Sequence, residues 1–287
     1  MAALRPREDA CAGAASLKGD SLALRRAAYA PAMSKLAALG VVAALLLAAP
    51  AQAQVQAGAQ AGSQDPGSQN ETRPVVVELF TSQGCNSCPP AEAFLRELSG
   101  RRDLITIELH VDYWDYIGWR DPFATRALTH RQRAYSRAME QRYVYTPQMI
   151  IDGRFQEVGS ERDAVLQLID RARLAKPAAG PTIEPVAARG DAPPSVRISG
   201  PVPAPAVVWV AVLDPSHETE VLRGENGGRR LVNTNVVRRF ERIGTYDGTT
   251  VELPLLVCEP HQSLAIVVQA ANGTGPIFAA NLLPPLR

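Results

Sequence analysis

The chain has 287 residues, of which 46% are hydrophobic and 21% are charged, with 30 basic and 29 acidic side chains. This composition is typical of a globular protein with a sizeable core and excludes a chain that is disordered overall. The near-neutral charge, without a run of basic residues, excludes the strongly basic surface of a nucleic-acid-binding protein.

The first predicted element is an export signal. Lys35 supplies a positive charge, residues 36–49 form an apolar run, and Ala51-Gln52-Ala53 is a small-x-small cleavage site. We predict a signal peptide over residues 33–53, and we interpret residues 1–32 as a non-native N-terminal extension caused by a start codon assigned too early. The apolar run is short for a bilayer span and no lipid-anchor cysteine follows it, so we expect no stable membrane anchor. The protein should be exported, to the periplasm if the source is a Gram-negative bacterium and otherwise as a secreted protein.

A flexible linker and a first folded domain follow. Residues 54–73 are rich in Ala, Gln, Gly and Ser, which predicts the linker, and the domain is predicted over residues 74–176. Apolar runs of strand length alternate in it with amphipathic helical segments. The predicted elements are strands at 75–80, 104–111, 148–152 and 154–158, and helices that begin at Pro89, Thr129 and Ser160. Their order, βαβαββα, predicts an α/β domain whose first two strands are parallel.

The composition changes at residues 176–181, where Pro and Gly replace the helical pattern. Short strand-like runs follow, separated by Gly-Gly, Asp-Gly and Asn-Gly pairs that favour tight hairpin turns. We predict a small all-β, sandwich-like domain over residues 182–287.

Three of the four cysteines remain after the predicted cleavage, namely Cys85, Cys88 and Cys258. In an oxidising compartment the close spacing lets Cys85 and Cys88 form a disulfide, and both lie at a predicted strand–helix junction. A helix N-terminus favours a thiolate, so Cys85 is the expected nucleophile and Cys88 the residue that resolves a mixed disulfide. The same pair is also compatible with a metal site or with an inert structural disulfide.

Two motifs carry a resemblance to a known superfamily. Cys85-Asn86-Ser87-Cys88-Pro89-Pro90 at the strand–helix junction, and Tyr145-Thr146-Pro147 just before the third strand, resemble the thioredoxin-like superfamily over residues 74–174. The resemblance implies a cis Thr146–Pro147 bond, with Pro147 packed against the cysteine pair. It also implies a buried acid beneath the cysteines, for which Glu78 is the nearest candidate, although it lies one residue farther from Cys85 than in the family pattern; the alternative is an exposed glutamate on the strand. The Trp-Cys-Gly-Pro-Cys sequence of ordinary thioredoxins is absent, so the resemblance implies neither a reduction potential nor a partner.

Longer segments carry a closer resemblance. Residues 77–85 (Val-Glu-Leu-Phe-Thr-Ser-Gln-Gly-Cys), 110–116 (His-Val-Asp-Tyr-Trp-Asp-Tyr), 145–149 and 235–238 are similar to a secreted thioredoxin-like family known only as domain of unknown function 1223. Because that family has no proven activity, the function has to be argued from the site.

His110 and Asp112 lie at the end of the second predicted strand, and the aromatic residue Trp114 follows it. Since the carboxyl ends of parallel strands meet at one edge of a sheet, we expect these residues beside the cysteine loop. His110 would act there as a base, a thiolate partner or a metal ligand. The alternative for the aromatic residues is that they form the core of a long insertion.

These residues predict an exported thiol–disulfide oxidoreductase that needs no cofactor and acts on a protein or small-molecule thiol or disulfide. The predicted catalytic residues are Cys85, Cys88 and Pro147, and the predicted supporting residues are Glu78, His110, Asp112, Trp114 and Thr146. One alternative is an exported Cu(I)-binding module that uses Cys85, Cys88 and His110, because soft thiolates suit that metal. The other is a non-catalytic binding protein with a static disulfide.

Overall fold

The computed structural model describes residues 73–188, 190, 193–256, 258–270 and 273–284, which all belong to one compact unit, Asp65–Arg287. The predicted signal peptide, the N-terminal extension and all but the last residue of the linker lie outside the described residues and stay predictions. No helix in the described part of the chain is long and apolar enough to cross a membrane.

The described residues form a mixed α/β fold, as the sequence predicts. The first half contains β1 (Val75–Thr81), α1 (Pro89–Ser99), β2 (Leu104–His110), a 3-10 helix (Asp112–Ile117), α2 (Arg126–Ala138), β3 (Gln148–Ile151), β4 (Phe155–Val158) and α3 (Arg162–Leu174). The second half contains β5 (Thr182–Val186), β6 (Ser195–Ser199), β7 (Ala206–Glu220), β8 (Arg230–Tyr246), β9 (Val251–Pro254), β10 (Ser263–Ala270) and β11 (Ile277–Leu283).

Helix α2 begins at Arg126, before its predicted start at Thr129. Thr125 is the N-cap, because its side-chain oxygen accepts a hydrogen bond from the amide of Leu128 at 3.3 Å. The hydroxyl of Thr129 instead donates to Asp112 at 2.6 Å. Both threonines have the chemistry of a cap, and tertiary contacts decide which one performs it.

Eight strands form one sheet in the order β11-β10-β7-β8-β2-β1-β3-β4. Strand β2 is parallel to β1, and β3 is antiparallel to β1. Strand β8 of the second half joins parallel to β2, with Val236 opposite Glu108. The boundary that the sequence predicts at residues 176–182 therefore separates strands that share one sheet. Pairing between strands so far apart in sequence leaves no local pattern from which it could be predicted.

A second sheet covers part of the first. Strands β5, β6 and β9 form an antiparallel sheet of three strands. Their buried side chains, such as Val196 and Ile198, share a core with Val210 of β7 and Ile266 of β10. The second half thus has the two-layered, sandwich-like packing that alternating strands produce.

Strands β1 and β2 are buried along their whole length, which is typical of parallel strands covered on both faces. Successive side chains of a strand point to opposite faces. Val77 and Leu79 pack in the core with α1 and α3, whereas Val76 and Phe80 pack in the core with α2. This alternation decides which polar side chains of β1 and β2 lie beneath the cysteines.

A buried arginine joins the two halves on the α2 face of the sheet. Nε of Arg131 donates to Glu78 at 2.7 Å, and Nη2 donates to Tyr135 at 3.0 Å and to Gln269 of β10 at 3.2 Å. The guanidinium carbon also lies 4.3 Å from the ring centroid of Phe240 in β8. The charge of Arg131 is therefore satisfied by residues from β1, α2, β8 and β10 together.

We predict that this buried pair is strongly coupled. Arg131→Met or Glu78→Leu alone leaves an unpaired buried charge, so each should lower the free energy of unfolding by about 3–5 kcal/mol. The double variant should lose clearly less unfolding free energy than the sum of the losses of the two single variants. Urea unfolding in a double-mutant cycle measures these losses. The exposed pair Arg162–Glu97 is the matched control and should show a much smaller coupling. Additive losses at Arg131 and Glu78 would contradict the prediction.

Candidate functional site

Cys85 and Cys88 form a disulfide at the junction of β1 and α1, with a Cα–Cα distance of 5.5 Å. A turn after β1 positions Cys85, whose amide donates to the Ser82 carbonyl at 3.0 Å. Cys88 is the N-cap residue of α1, and its amide donates to the Cys85 carbonyl at 3.2 Å. Both cysteines are 0% exposed. The predicted pairing and its strand–helix position are therefore present, but the bond is covered.

The first turn of α1 offers few free amide groups to a Cys85 thiolate. Pro89 and Pro90 have no amide hydrogen, and the amides of Ala91 and Glu92 both donate to the Cys88 carbonyl, at 2.9 and 3.2 Å. The hydroxyl of Ser87, 3.3 Å from the Cys85 sulfur, is the polar side chain that contacts it. Stabilisation by free amides of the helix N-terminus is thus limited.

Beneath α1 lies a cluster of buried ionisable side chains, which we call the acid–histidine cluster and which consists of Glu92, Glu108, His110 and Asp121. Each of the four is 3% exposed or less. Nδ1 of His110 lies 2.7 Å from Asp121 Oδ2, and Nε2 lies 3.4 Å from Glu108 Oε1. The hydroxyl of Thr81 donates to Glu92 at 2.7 Å. Glu92 follows Cys88 by four residues, so both lie on one face of the helix.

Burial and mutual charge set the protonation of this cluster. Burial, reinforced by the Glu108 carboxylate, raises the pKa of Glu92 to about 8. Burial alone would lower the pKa of His110, but the Asp121 carboxylate outweighs it and raises that pKa to about 10. Burial opposes ionisation of Asp121, yet the charge of His110 lowers the pKa of Asp121. At neutral pH the cluster therefore holds a His110–Asp121 ion pair and a protonated Glu92.

The second half of the chain supplies groups that fix this cluster. The side-chain amide of Asn233 in β8 donates to Glu108 Oε1 at 2.7 Å, and the Thr234 amide donates to Oε2, also at 2.7 Å. The side chain of Gln83 donates to Asn233 at 3.2 Å, and its backbone amide donates to Asp121 at 2.8 Å. The site is thus built across the β2–β8 junction.

The loop between β7 and β8 lies against the cysteine loop. We call residues 221–229 the cap hairpin. Nδ2 of Asn226 donates to the carbonyls of Gln83 and Cys85, both at 2.9 Å. The Asn86 amide donates to Glu225 at 3.3 Å.

Several predicted residues lie on the other side of the cysteine loop. The Thr146–Pro147 bond is cis, and Nε1 of Trp114 donates to Thr146 at 2.8 Å. A Cβ added to Gly84 would lie 3.1 Å from Cβ of Trp114, so the 3-10 helix packs directly beside the residue that precedes Cys85. These contacts connect Thr146 to the cysteine loop through Trp114.

Two other predicted supporting residues have different surroundings. Asp112 is bound to Thr129 and fastens the 3-10 helix to α2. Glu78 does not lie beneath the cysteines, which corrects the expectation from the resemblance. It is an odd number of residues from Thr81 on β1, so it points to the α2 face and pairs with Arg131.

Three residues of the cluster, Glu92, Glu108 and Asp121, are missing from the sequence prediction. A signal for Glu92 exists in its spacing of four from Cys88, and a signal for Glu108 in its spacing of two from His110 on the same strand. Asp121 has no such signal, because a loop brings it back to His110. The sequence therefore identifies His110 but not the partners that set its charge.

The metal alternative is not favoured by the position of His110, since both of its ring nitrogens lie beside carboxylate oxygens. Within the described residues, no group of three or more His, Cys, Asp and Glu side chains is arranged to hold a metal ion. The Cu(I) site of Cys85, Cys88 and His110 stays a prediction.

We predict that Glu92 makes stability fall as pH rises. Its pKa is about 8 in the folded protein against an ordinary value of 4.5. The contribution of this shift to the free energy of unfolding is therefore complete below pH 4.5 and is lost as pH rises through 8. Glu92→Gln should remove a slope of up to about 1.4 kcal/mol per pH unit from this window, measured by urea unfolding between pH 5 and 8. Glu97→Gln replaces an exposed glutamate of the same helix and should have the same slope of unfolding free energy against pH as the wild type. Identical slopes in wild type and Glu92→Gln would contradict the prediction.

Comparisons with known proteins place the chain in a family. A family described as protein of unknown function (DUF1223) matches residues 76–269. The X-ray structure of an Agrobacterium tumefaciens protein from a structural genomics consortium is 31% identical, with a TM-score of 0.63, over 73% of this chain and 93% of that chain. No match was found among curated proteins. The chain belongs to the DUF1223 family of proteins of unknown function.

Proposed function

We propose that the protein is an exported thiol–disulfide oxidoreductase of thioredoxin-like type that uses Cys85 and Cys88. The observation that carries the proposal is the position of the disulfide, one helical turn before a buried glutamic acid that is protonated at neutral pH. Thiol–disulfide exchange needs a thiolate that can leave and a nearby group that exchanges a proton with it. Cys88 and Glu92, four residues apart on one helix, support the assignment of these two roles.

The arrangement of the first half supports the thioredoxin-like part of the proposal. Its strands lie in the order β2-β1-β3-β4, with α1 and α3 packed on one face and α2 on the other. The disulfide lies at the carboxyl end of β1, next to the end of the parallel strand β2. In open α/β sheets this edge is the usual place for ligands and chemistry.

The exchange begins from the disulfide. A substrate thiolate attacks the Cys85 sulfur, the Cys85–Cys88 bond breaks, and Cys88 leaves as a thiolate that takes a proton. A second thiolate of the same substrate attacks the substrate sulfur of the mixed disulfide and releases Cys85. Two electrons pass from the substrate dithiol to the cysteine pair, and the substrate leaves as a disulfide. The reverse order reduces a substrate disulfide.

Glu92 is the group that we assign to proton transfer with Cys88. It carries a proton at neutral pH, and it lies on the helix face of Cys88. Donation of this proton to Cys88 leaves a Glu92 carboxylate near the positive His110, which compensates part of the new charge. His110 therefore acts through Glu92 as a positioning residue.

We predict that Cys88→Ser traps substrates as mixed disulfides through Cys85, because the resolving thiol is gone. Cys85→Ser should trap few. The measurement is non-reducing electrophoresis of the exported protein fraction after rapid alkylation, followed by mass spectrometry of the cysteines involved. Equal and negligible trapping by both variants would favour the alternative of a static disulfide.

We also predict a pH-dependent role for Glu92 in reduction of the pair. At pH 7 a dithiol should reduce Glu92→Gln about 10²-fold more slowly than wild type, since general acid catalysis typically contributes 10²–10⁴-fold. The ratio of the two rates should fall towards one above pH 8, where Glu92 ionises. Because the ionisation of the reductant is common to both proteins, it cancels in this ratio. A ratio that is constant from pH 6 to 9.5 would contradict the assignment.

A further inference from the structure

The cysteine loop is at the surface, but its two reactive residues are not. Asn86 and Ser87 are exposed, whereas Cys85 and Cys88 are 0% exposed. Other parts of the chain must therefore cover the bond.

The cap hairpin is fastened to the backbone of the cysteine loop by the buried side chain of Asn226. Asn226 is 1% exposed, although the residues on either side of it are exposed. Its two N–H groups donate to the carbonyls of Gln83 and Cys85, and Oδ1 accepts a hydrogen bond from Arg229 at 3.0 Å. Both N–H groups of the Asn226 amide thus hold the hairpin on the backbone of the cysteine loop, and its oxygen is bound within the hairpin.

Besides Asn226, the hairpin has one fully buried side chain, Val221 at its base, and two further contacts. The contact from the Asn86 amide to Glu225 is exposed, and Gly224 fits against Trp119 beside the 3-10 helix. The ladder of β7 and β8 ends at the pair Glu220 and Arg230, before the hairpin begins. The strand pairing of the sheet therefore does not depend on the hairpin's position against Cys85.

We propose that the cap hairpin controls access to the Cys85–Cys88 disulfide and that Asn226 is the residue that keeps it closed. This inference rests on the proposed function for its biological meaning, because access matters only if the pair reacts. A substrate reaches the Cys85 sulfur when Asn226 releases the two carbonyls. A bulky protein thiol needs a wider opening than a small molecule, so the hairpin also discriminates substrates by size.

The test measures reduction of the full-length protein's disulfide by a water-soluble phosphine, in which phosphine, disulfide and water give phosphine oxide and two thiols. Asn226→Asp keeps the size of the side chain but sets carboxylate oxygen against two carbonyl oxygens. Loss of the two hydrogen bonds should accelerate reduction at pH 7.5 by about tenfold or more. Leu222→Gln, on the same hairpin with a side chain that is 69% exposed, is the control and should stay within about twofold of wild type.

A second variant guards against misfolding of the first. Residues 221–229 are replaced by Asn-Gly, a two-residue turn that joins the paired residues Glu220 and Arg230. This variant should react at least as fast as Asn226→Asp. Its rate with a folded protein dithiol, such as a thioredoxin, should rise by a larger factor than its rate with the phosphine.

Two results would overturn the inference. One is reduction of the excised variant and of any folded Asn226→Asp protein at the wild-type rate. The other is acceleration that merely follows a loss of global stability, as judged by urea unfolding of the same proteins with the disulfide intact. Because the phosphine assay needs no natural substrate, it is independent of the trapping experiment. Fast reduction of these variants without any trapping by Cys88→Ser would support the cap and refute the oxidoreductase.

Discussion

Strand β8 lies parallel to β2, with Val236 opposite Glu108, and the rest of the site depends on this pairing. The pairing sets Asn233 and Thr234 against the Glu108 carboxylate. It also directs the end of the β7–β8 ribbon, and with it Asn226, towards the cysteine loop. A first half separated from β8 would keep its disulfide but would leave Glu108 without these donors. A buried carboxylate that lacks donors is costly, so the two halves are energetically one unit.

The acid–histidine cluster illustrates how a buried site holds charge. Asp121 forms an ion pair with the protonated His110. Glu92 keeps its proton, so it adds no further negative charge to the cluster. If Glu92 also ionised, it would face the carboxylates of Glu108 and Asp121 in a region of low dielectric. The same balance makes the Glu92 proton available near neutral pH, since a modest change in nearby charge is enough to move it. A thiolate formed at Cys88 is such a change.

The sequence predicts the parts of this arrangement that depend on local pattern. The order of elements, the Cys85–Cys88 pair at the start of α1 and the position of His110 at the end of β2 follow from periodicity and from the parallel crossover. The strand pattern also predicts the face of the sheet on which Glu78 lies, because the side chains of residues 78 and 81 of one strand point in opposite directions. The superfamily resemblance favours Glu78 as the buried acid beneath the cysteines, whereas the alternation of the strand places it on the α2 face with Arg131. The small number of free amides in the first turn of α1 also follows from the sequence, because Pro89 and Pro90 carry none and the Glu92 amide makes the ordinary helical bond to the Cys88 carbonyl.

What the sequence does not predict comes from contacts between distant segments. Asp121 reaches His110 through a loop, Asn233 reaches Glu108 across the β2–β8 pair, and Asn226 reaches Cys85 from the end of a ribbon. Asp121, Asn233 and Asn226 belong to no motif. Asparagine at a hairpin is ordinarily explained by turn formation. The composition break near residue 176 even favours two separate domains. Contacts of this kind require coordinates, because two of them join residues more than a hundred positions apart and the third depends on the path of a loop.

The closeness of Cys85 and Cys88 in sequence bears on what their disulfide is for. A disulfide stabilises a fold mainly by lowering the conformational entropy of the unfolded chain, and the effect grows with the length of the closed loop. A bond between residues three apart restricts few conformations, about 2 kcal/mol by the chain-entropy relation, against about 3 for a 15-residue loop. The fold already has two layers of core and a buried ion pair at Arg131, so this bond is not its main constraint. A structural role does not explain why the bond lies beside a protonated carboxylic acid and a hairpin fastened by Asn226, whereas the proposed exchange with a selected substrate would use both.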